Sequence, residues 1–206
     1  MIRVGIDEVG RGPLAGPVTA CAVALGDWRP LPPLALKDSK KVSARRREIL
    51  ARQIQDHAIA VSLGWASVEE IDSLNILQAT FLAMQRAVQG LVTQLGSSQS
   101  LQLLVDGHLN PATHAQHLEW PWPTETCVGG DGLVAEISAA SIVAKVARDR
   151  HMQTLEQQYP GYGLASHAGY GTAQHLAALT SLGVSPVHRR SFGPVARRLS
   201  ESTHGL

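Results

Sequence analysis

Asp7 and Glu8 stand side by side at the head of Gly10-Arg11-Gly12-Pro13-Leu14-Ala15-Gly16-Pro17, a glycine-rich run that holds one arginine. Glycines let backbone N–H groups approach an anion with no Cβ in the way. Adjacent carboxylates next to such a loop point to a metal site beside a phosphate. Ile2 to Ile6 reads as an apolar strand whose end delivers both carboxylates where an open sheet places its chemistry. Successive strand residues face opposite sides, so sharing one site requires the pleat to end or bend near Asp7. Asp106 directly follows the largely apolar run Leu101 to Val105, and Asp131 follows Gly129-Gly130 just ahead of a long helical segment. If the strands ending at Asp7 and Asp106 are neighbours, their carboxylates converge. At about 4 Å two such charges repel by roughly 4 kcal/mol at an effective dielectric of 20, and a divalent cation removes that penalty. Hard oxygen donors with no Cys or His among them favour Mg²⁺, with Mn²⁺ as a substitute. Asp149 lies roughly 27 Å further along the helix at 1.5 Å per residue, so only one of Asp131 and Asp149 can join the site. The loop position favours Asp131, leaving Asp149, between Arg148 and Arg150, as an ion-pair partner.

These residues need a sheet to hold them. Val18 to Leu25 reads as a second strand, Pro30 to Leu36 as a loop, and Ser43 to His57 as an amphipathic helix behind a Ser cap. Ile59 to Trp65 makes a third strand, and Ser67-Val68-Glu69-Glu70 has the spacing of a capping box. Leu74 to Leu95 is a longer helix, His108 to Pro123 is irregular, and Thr124 to Val128 is the last strand. Leu133 to Gln158 reads as mostly helix, Tyr159 to Gly171 as glycine-rich loop and Thr172 to Leu182 as helix, with the tail after Pro194 loosely held. Strands in a run, then strands alternating with helices, give an α/β mixed sheet covered by helices.

The 206 residues suit one domain, 1–206, with an aliphatic core, since only 9 of them are aromatic. No apolar run is long enough to span a membrane and no signal peptide is evident, so a cytoplasmic protein is expected. Cys21 and Cys127 lack metal-ligand spacing and read as reduced packing residues. The net charge of +1 gives no global case for nucleic acid, yet residues 37–47 gather Lys37, Lys40, Lys41, Arg45, Arg46 and Arg47 against Asp38. Beside a metal site such a cluster becomes a phosphate track.

The acidic opening motif resembles that of the type 2 ribonuclease H (ribonuclease HII) family. Lys37-Asp38-Ser39-Lys40-Lys41, Val105-Asp106-Gly107, Ser138 to Val146 with Arg148-Asp149-Arg150, Gly161-Tyr162-Gly163 with His167-Ala168-Gly169-Tyr170, and His188-Arg189-Arg190-Ser191-Phe192 resemble its further blocks in order. The resemblance implies a ribonuclease H-like fold: a five-stranded mixed sheet flanked by helices, with a helical C-terminal part. It implies a metal-dependent endonuclease that acts on RNA–DNA hybrids and on ribonucleotide-containing duplex DNA; a monomer with no membrane partner is expected. The reaction would be two-metal, in-line hydrolysis with Mg²⁺ or Mn²⁺, leaving 5′-phosphate and 3′-hydroxyl ends. Asp7, Glu8, Asp106 and Asp131 match the four catalytic acids. Gly10, Arg11 and Gly12 match the backbone that senses the 2′-hydroxyl, and Tyr170, rather than Tyr162, matches the tyrosine at the RNA-to-DNA junction. Ser39, Lys40 and Lys41 match phosphate contacts that Arg45 and Arg46 extend. Ala168 and Gly129 stand where the family carries lysines, so two positive charges are missing. A resolvase-like DNA nuclease or a hybrid-binding protein without catalysis would share much of this pattern, but the Gly-Arg-Gly match and the full acid set argue against each.

Overall fold

The structure, a computed structural model, describes residues 1–27, 43–116 and 118–203. The expected loop from Pro30 to Leu36 and the phosphate contacts Ser39, Lys40 and Lys41 lie outside the described residues. In chain order the elements are β1 (Ile2–Val9), β2 (Val18–Ala24), α1 (Ala44–His57), β3 (Ala60–Ala66), α2 (Val68–Leu74), α3 (Ile76–Leu95) and β4 (Leu101–Asp106). They continue as α4 (Pro111–His114), β5 (Thr124–Cys127), α5 (Gly130–Leu133), α6 (Ala135–Gln158), α7 (Leu164–His167), α8 (Ala173–Leu182) and α9 (Gly193–Thr203).

The five strands form one mixed sheet in the order β3-β2-β1-β4-β5. β1 is central, antiparallel to β2 and parallel to β4, with Ile6 opposite Val105 as the last matched pair of β1 and β4. Strand parity sorts the two faces. Val4, Ile6, Ala20, Ala22, Leu103 and Val105 pack with Phe81, Met84, Ala87 and Val88 of α3. On the other face Cys21 and Val23 meet Leu50 and Ile54 of α1 and Ala139, Ala140 and Val143 of α6. The small residues of α6 let it ride directly on the sheet. A methyl group on Gly5 would stand 2.0 Å from the carbonyl carbon of Glu136, a distance no structure tolerates.

Four local features differ from the sequence reading. β1 runs to Val9 without a break, because its ladder with β2 continues to Val9 opposite Thr19. α3 starts at Ile76, where Asn75 (φ 70°) ends α2 and its side chain accepts the N–H groups of Leu77 and Gln78. The long helix is preceded by a single turn, α5, and an extended Val134, so Asp131 sits in a helical turn and not in a loop. The tail is a helix through Thr203. Val195 is fully buried, Leu199 packs on the C-terminal cluster, and the Arg198 guanidinium donates to the carbonyls of Leu179 and Thr180. That cluster joins Leu14 and Ala15 to Met152, Tyr162, Leu164 and Leu179, tying the β1–β2 loop to the helical C-terminal part.

Candidate active site

Because β1 keeps its pleat, Asp7 and Glu8 point to opposite faces, contrary to the bend expected from sequence. Asp7 is buried toward α6, where the Ser141 hydroxyl donates to it. Glu8 lies on the α3 side in a shallow cavity of about 200 Å³ with Arg11, Thr80, Phe81, Asp106 and His108. Asp106, just beyond the last β1–β4 pair, is the group whose charge reaches both. Burial, then the charge of Glu8 and more weakly that of Asp106, raise the Asp7 carboxyl to about 8. Burial likewise raises Glu8, opposed by the Arg11 guanidinium 3.3 Å away. The Gly130 N–H donates to Asp106 Oδ1 at 2.7 Å, which brings the turn carrying Asp131 against the end of β4. The Ser138 hydroxyl caps that turn by donating to the Asp131 carbonyl.

Among the described residues no group of three or more His, Cys, Asp or Glu side chains already surrounds a point where an ion could sit. The donor chemistry nevertheless fits a hard divalent cation. Three coupled carboxylates, two of them held toward their neutral forms, gain from any positive charge placed between them. A larger cavity of about 460 Å³, behind the loop at Gly16 and Pro17, is lined by none of these acids.

The Gly10–Pro17 loop is held from below by two arginines that the sequence reading did not single out. Arg148 and Arg189 are both fully buried. Their guanidinium groups donate to the carbonyls of Gly10, Arg11, Ala15, Gly16, Pro17 and Ala168. Burial lowers Arg148 to about 10 and Arg189 to about 9, so both remain cations at neutral pH. The available signal was their place in two family-like blocks with no acidic partner at helical spacing. Asp149 does form an ion pair, with Lys145 Nζ at 2.7 Å, not with the flanking arginines.

The two tyrosines separate cleanly. Tyr170 is 46% exposed, and its ring lies beside Gly12, 3.4 Å from where a Cβ on that glycine would be. Tyr162 is buried and its hydroxyl donates to the Gly183 carbonyl at 3.0 Å. Behind Tyr170 runs a chain of neutral histidines. The Ser185 N–H donates to His188 Nδ1 at 3.1 Å, so His188 Nε2–H donates to His175 Nε2 at 3.0 Å, and His175 Nδ1–H to the Tyr170 carbonyl at 2.9 Å. His188 is thus an anchor inside the fold. Arg45 and Arg46 are exposed on the first turn of α1, which Arg150 of α6 ties down through Glu48. Gly129 and Ala168, the two lysine positions, both have positive φ, at 68° and 51°. A lysine at 129 would be strained there, and Ala168 carries the strain while its carbonyl serves Arg148.

A central parallel strand pair ending in carboxylates, in a β3-β2-β1-β4-β5 mixed sheet backed by helices, is the arrangement of the ribonuclease H-like fold. The chain matches the family model described as Ribonuclease HII over residues 4–195. It is 54% identical over 196 residues to the ribonuclease HII of Dechloromonas aromatica, covering 95% of this chain and 93% of the relative. The ribonuclease H2 of Pyrococcus horikoshii OT3 superposes with a TM-score of 0.74 at 24% identity over the full length of both chains. The structure of Bst-RNase HIII in complex with Mn²⁺ superposes with a TM-score of 0.76 at 15% identity, covering 99% of this chain and 71% of that one. The chain belongs to the ribonuclease HII family. It is accordingly an endoribonuclease, a hydrolase of the RNA strand in RNA–DNA hybrids.

Proposed function

We propose that this ribonuclease, a single catalytic domain acting as a monomer in the cytoplasm, also cuts at single ribonucleotides embedded in duplex DNA, leaving 5′-phosphate and 3′-hydroxyl ends. The observation that carries the reading is the juxtaposition of three coupled carboxylates with a turn that exposes Arg11 and Gly12 beside Tyr170. Asp7 and Asp106 would be the central ligands of Mg²⁺ or Mn²⁺, Glu8 a further ligand, and Asp131 the fourth member of the set. Two such ions, when bound, supply an activated water for in-line attack and neutralise the charge growing on the leaving 3′ oxygen. The manganese held by Bst-RNase HIII, which shares this fold, supports the choice of ion.

The chain's own groups do the positioning. Ser141 and the Gly130 N–H orient Asp7 and Asp106. Arg11 screens Glu8 from its neighbours. The Gly10-Arg11-Gly12 backbone would read the 2′-hydroxyl, and the Tyr170 ring would pack on the sugar that follows it. Arg45 and Arg46, with Ser39, Lys40 and Lys41 outside the described residues, would track phosphates. The test is a duplex with one embedded ribonucleotide beside an all-DNA control, each with and without Mg²⁺. Cleavage at the ribonucleotide only when Mg²⁺ is present is expected, with a nick that a ligase can reseal because it carries a 5′-phosphate and a 3′-hydroxyl. Cutting of the all-DNA duplex would point to a DNA nuclease instead, and tight binding without cutting would leave a hybrid-binding protein.

A further inference from the structure

Arg148 and Arg189 are buried cations with no ion pair among the described residues, an arrangement proteins avoid unless every donor is satisfied. Here the satisfying groups are carbonyls, and five of the six belong to the Gly10–Pro17 loop. Arg189 takes Gly10 O at 2.6 Å, Arg11 O at 2.8 Å and Gly16 O at 2.9 Å. Arg148 takes Pro17 O, Ala15 O and, from the turn before Tyr170, Ala168 O. The packing leaves no slack: a Cβ on Gly10 would stand 2.1 Å from Arg148 Nε.

A trans peptide unit points its C=O and the following N–H in opposite directions. Once Arg189 draws the Gly10 and Arg11 carbonyls inward, the N–H groups of Arg11 and Gly12 must face out, and neither has a partner among the described residues. Gly10 and Gly12 flank these two units, and glycine makes rotation of an adjoining peptide cheap. A rotated unit would present an acceptor where a donor stood. The freedom that brings this backbone close to a substrate therefore also threatens what it displays, and the guanidinium removes that freedom. Asp72, the carboxylate whose charge reaches Arg189, accepts from the Arg190 and Ser191 N–H groups and forms no ion pair with the guanidinium, which leaves all three of the Arg189 bonds above to the loop carbonyls.

We propose that Arg189 is the positioning residue for 2′-hydroxyl discrimination, locking the Gly10-Arg11 and Arg11-Gly12 peptide units with their N–H groups outward, while Arg148 ties the rest of the loop to the Tyr170 turn. This rests on the reading that the Gly-Arg-Gly backbone senses the 2′-hydroxyl. The test compares affinities for two labelled duplexes that differ by one 2′-hydroxyl, using Asp106→Asn protein so that binding is read without cleavage. Adding Arg189→Lys keeps a positive charge but cannot span three divergent carbonyls. The preference for the ribonucleotide duplex should fall about tenfold, the scale of losing one well-placed hydrogen bond, while affinity for the all-DNA duplex stays within about twofold. A purely structural role would lower both affinities together and leave their ratio intact, which would overturn the proposal. No preference in the Asp106→Asn protein itself would instead overturn the reading of the loop as a 2′-hydroxyl sensor. If Arg189→Lys does not fold, Phe192→Leu carries the test. It removes the ring 5.1 Å from the guanidinium and should lower the same ratio about threefold, with an unchanged ratio again decisive against the clamp.

Discussion

Asp106 is the residue on which the acidic site depends, because it lies beyond the last β1–β4 pair and its charge reaches carboxylates on both faces of β1. Asp106→Asn keeps the shape and the acceptor for Gly130, so the melting transition should hold while cleavage falls more than about a hundredfold, the scale of losing one electrostatic stabiliser. Near wild-type turnover would remove Asp106 from the chemistry. The tyrosines offer a sharper contrast. Tyr170→Ala should slow cleavage at a ribonucleotide-to-deoxyribonucleotide junction by on the order of a hundredfold, through misplacement by about 1 Å, and slow cutting within uniform hybrid less. Tyr162→Ala removes a buried ring and its bond to Gly183, so it should cost roughly 3 kcal/mol of stability and depress both substrates equally. Rates of both variants on both substrates at one temperature below the melting transition check the pair. Equal losses for Tyr170→Ala would return that residue to packing.

Elements decide what those residues can reach. Gly5 lets α6 lie against β1, and its neighbours there are backbone atoms that cannot swing away. Gly5→Ala should therefore push α6 off the sheet, costing about 3 kcal/mol or more and displacing Ser141 from Asp7. A melting curve and a cleavage assay on the purified variant read both effects, and an unshifted melt would mean the contact is looser than described. Most strands and long helices were legible in the sequence because burial on two faces writes a continuous apolar run and burial on one face writes a helical stripe. The pleat at Asp7 and Glu8 was misread for a physical reason: parity shows that the two side chains diverge, but not that a neighbouring strand end can serve both. The α9 tail was missed because Val195 and Leu199 make too short a stripe to register without the surface they cover. Arg148 and Arg189 stayed hidden because their partners are carbonyls, and every residue has one.

At the scale of the molecule the C-terminal part behaves as a proton-sensitive brace. Burial, and then the charge of His175, push His188 down to about 4; burial also lowers His175, helped by the charge of His167 stacked 4.7 Å away and opposed by its bond to the Tyr170 carbonyl and by Glu156. The folded pKa lies below the unfolded value near 6.5, so the unfolded chain binds more protons between these limits. Stability should rise with pH from about 4 to about 6.5 and be lost as pH falls through that window. Thermal melts across the window check this, and His188→Gln should flatten the slope; an unchanged slope would assign it to other groups. The brace also carries a consequence for the order of folding. Ala15 bridges to His188, the Gly16 N–H donates to Val187 O, and the Arg189 N–H donates to Leu14 O, so the loop after β1 is fastened by a segment far along the chain. Contacts of high sequence separation form slowly, because the entropy of closing the loop is lost before the contact offsets it. The β1–β4 pairing that gathers Asp7, Glu8 and Asp106 closes a much shorter loop than the brace under the substrate-facing turn does. Refolding should therefore assemble the acids first and the turn that reads the substrate last.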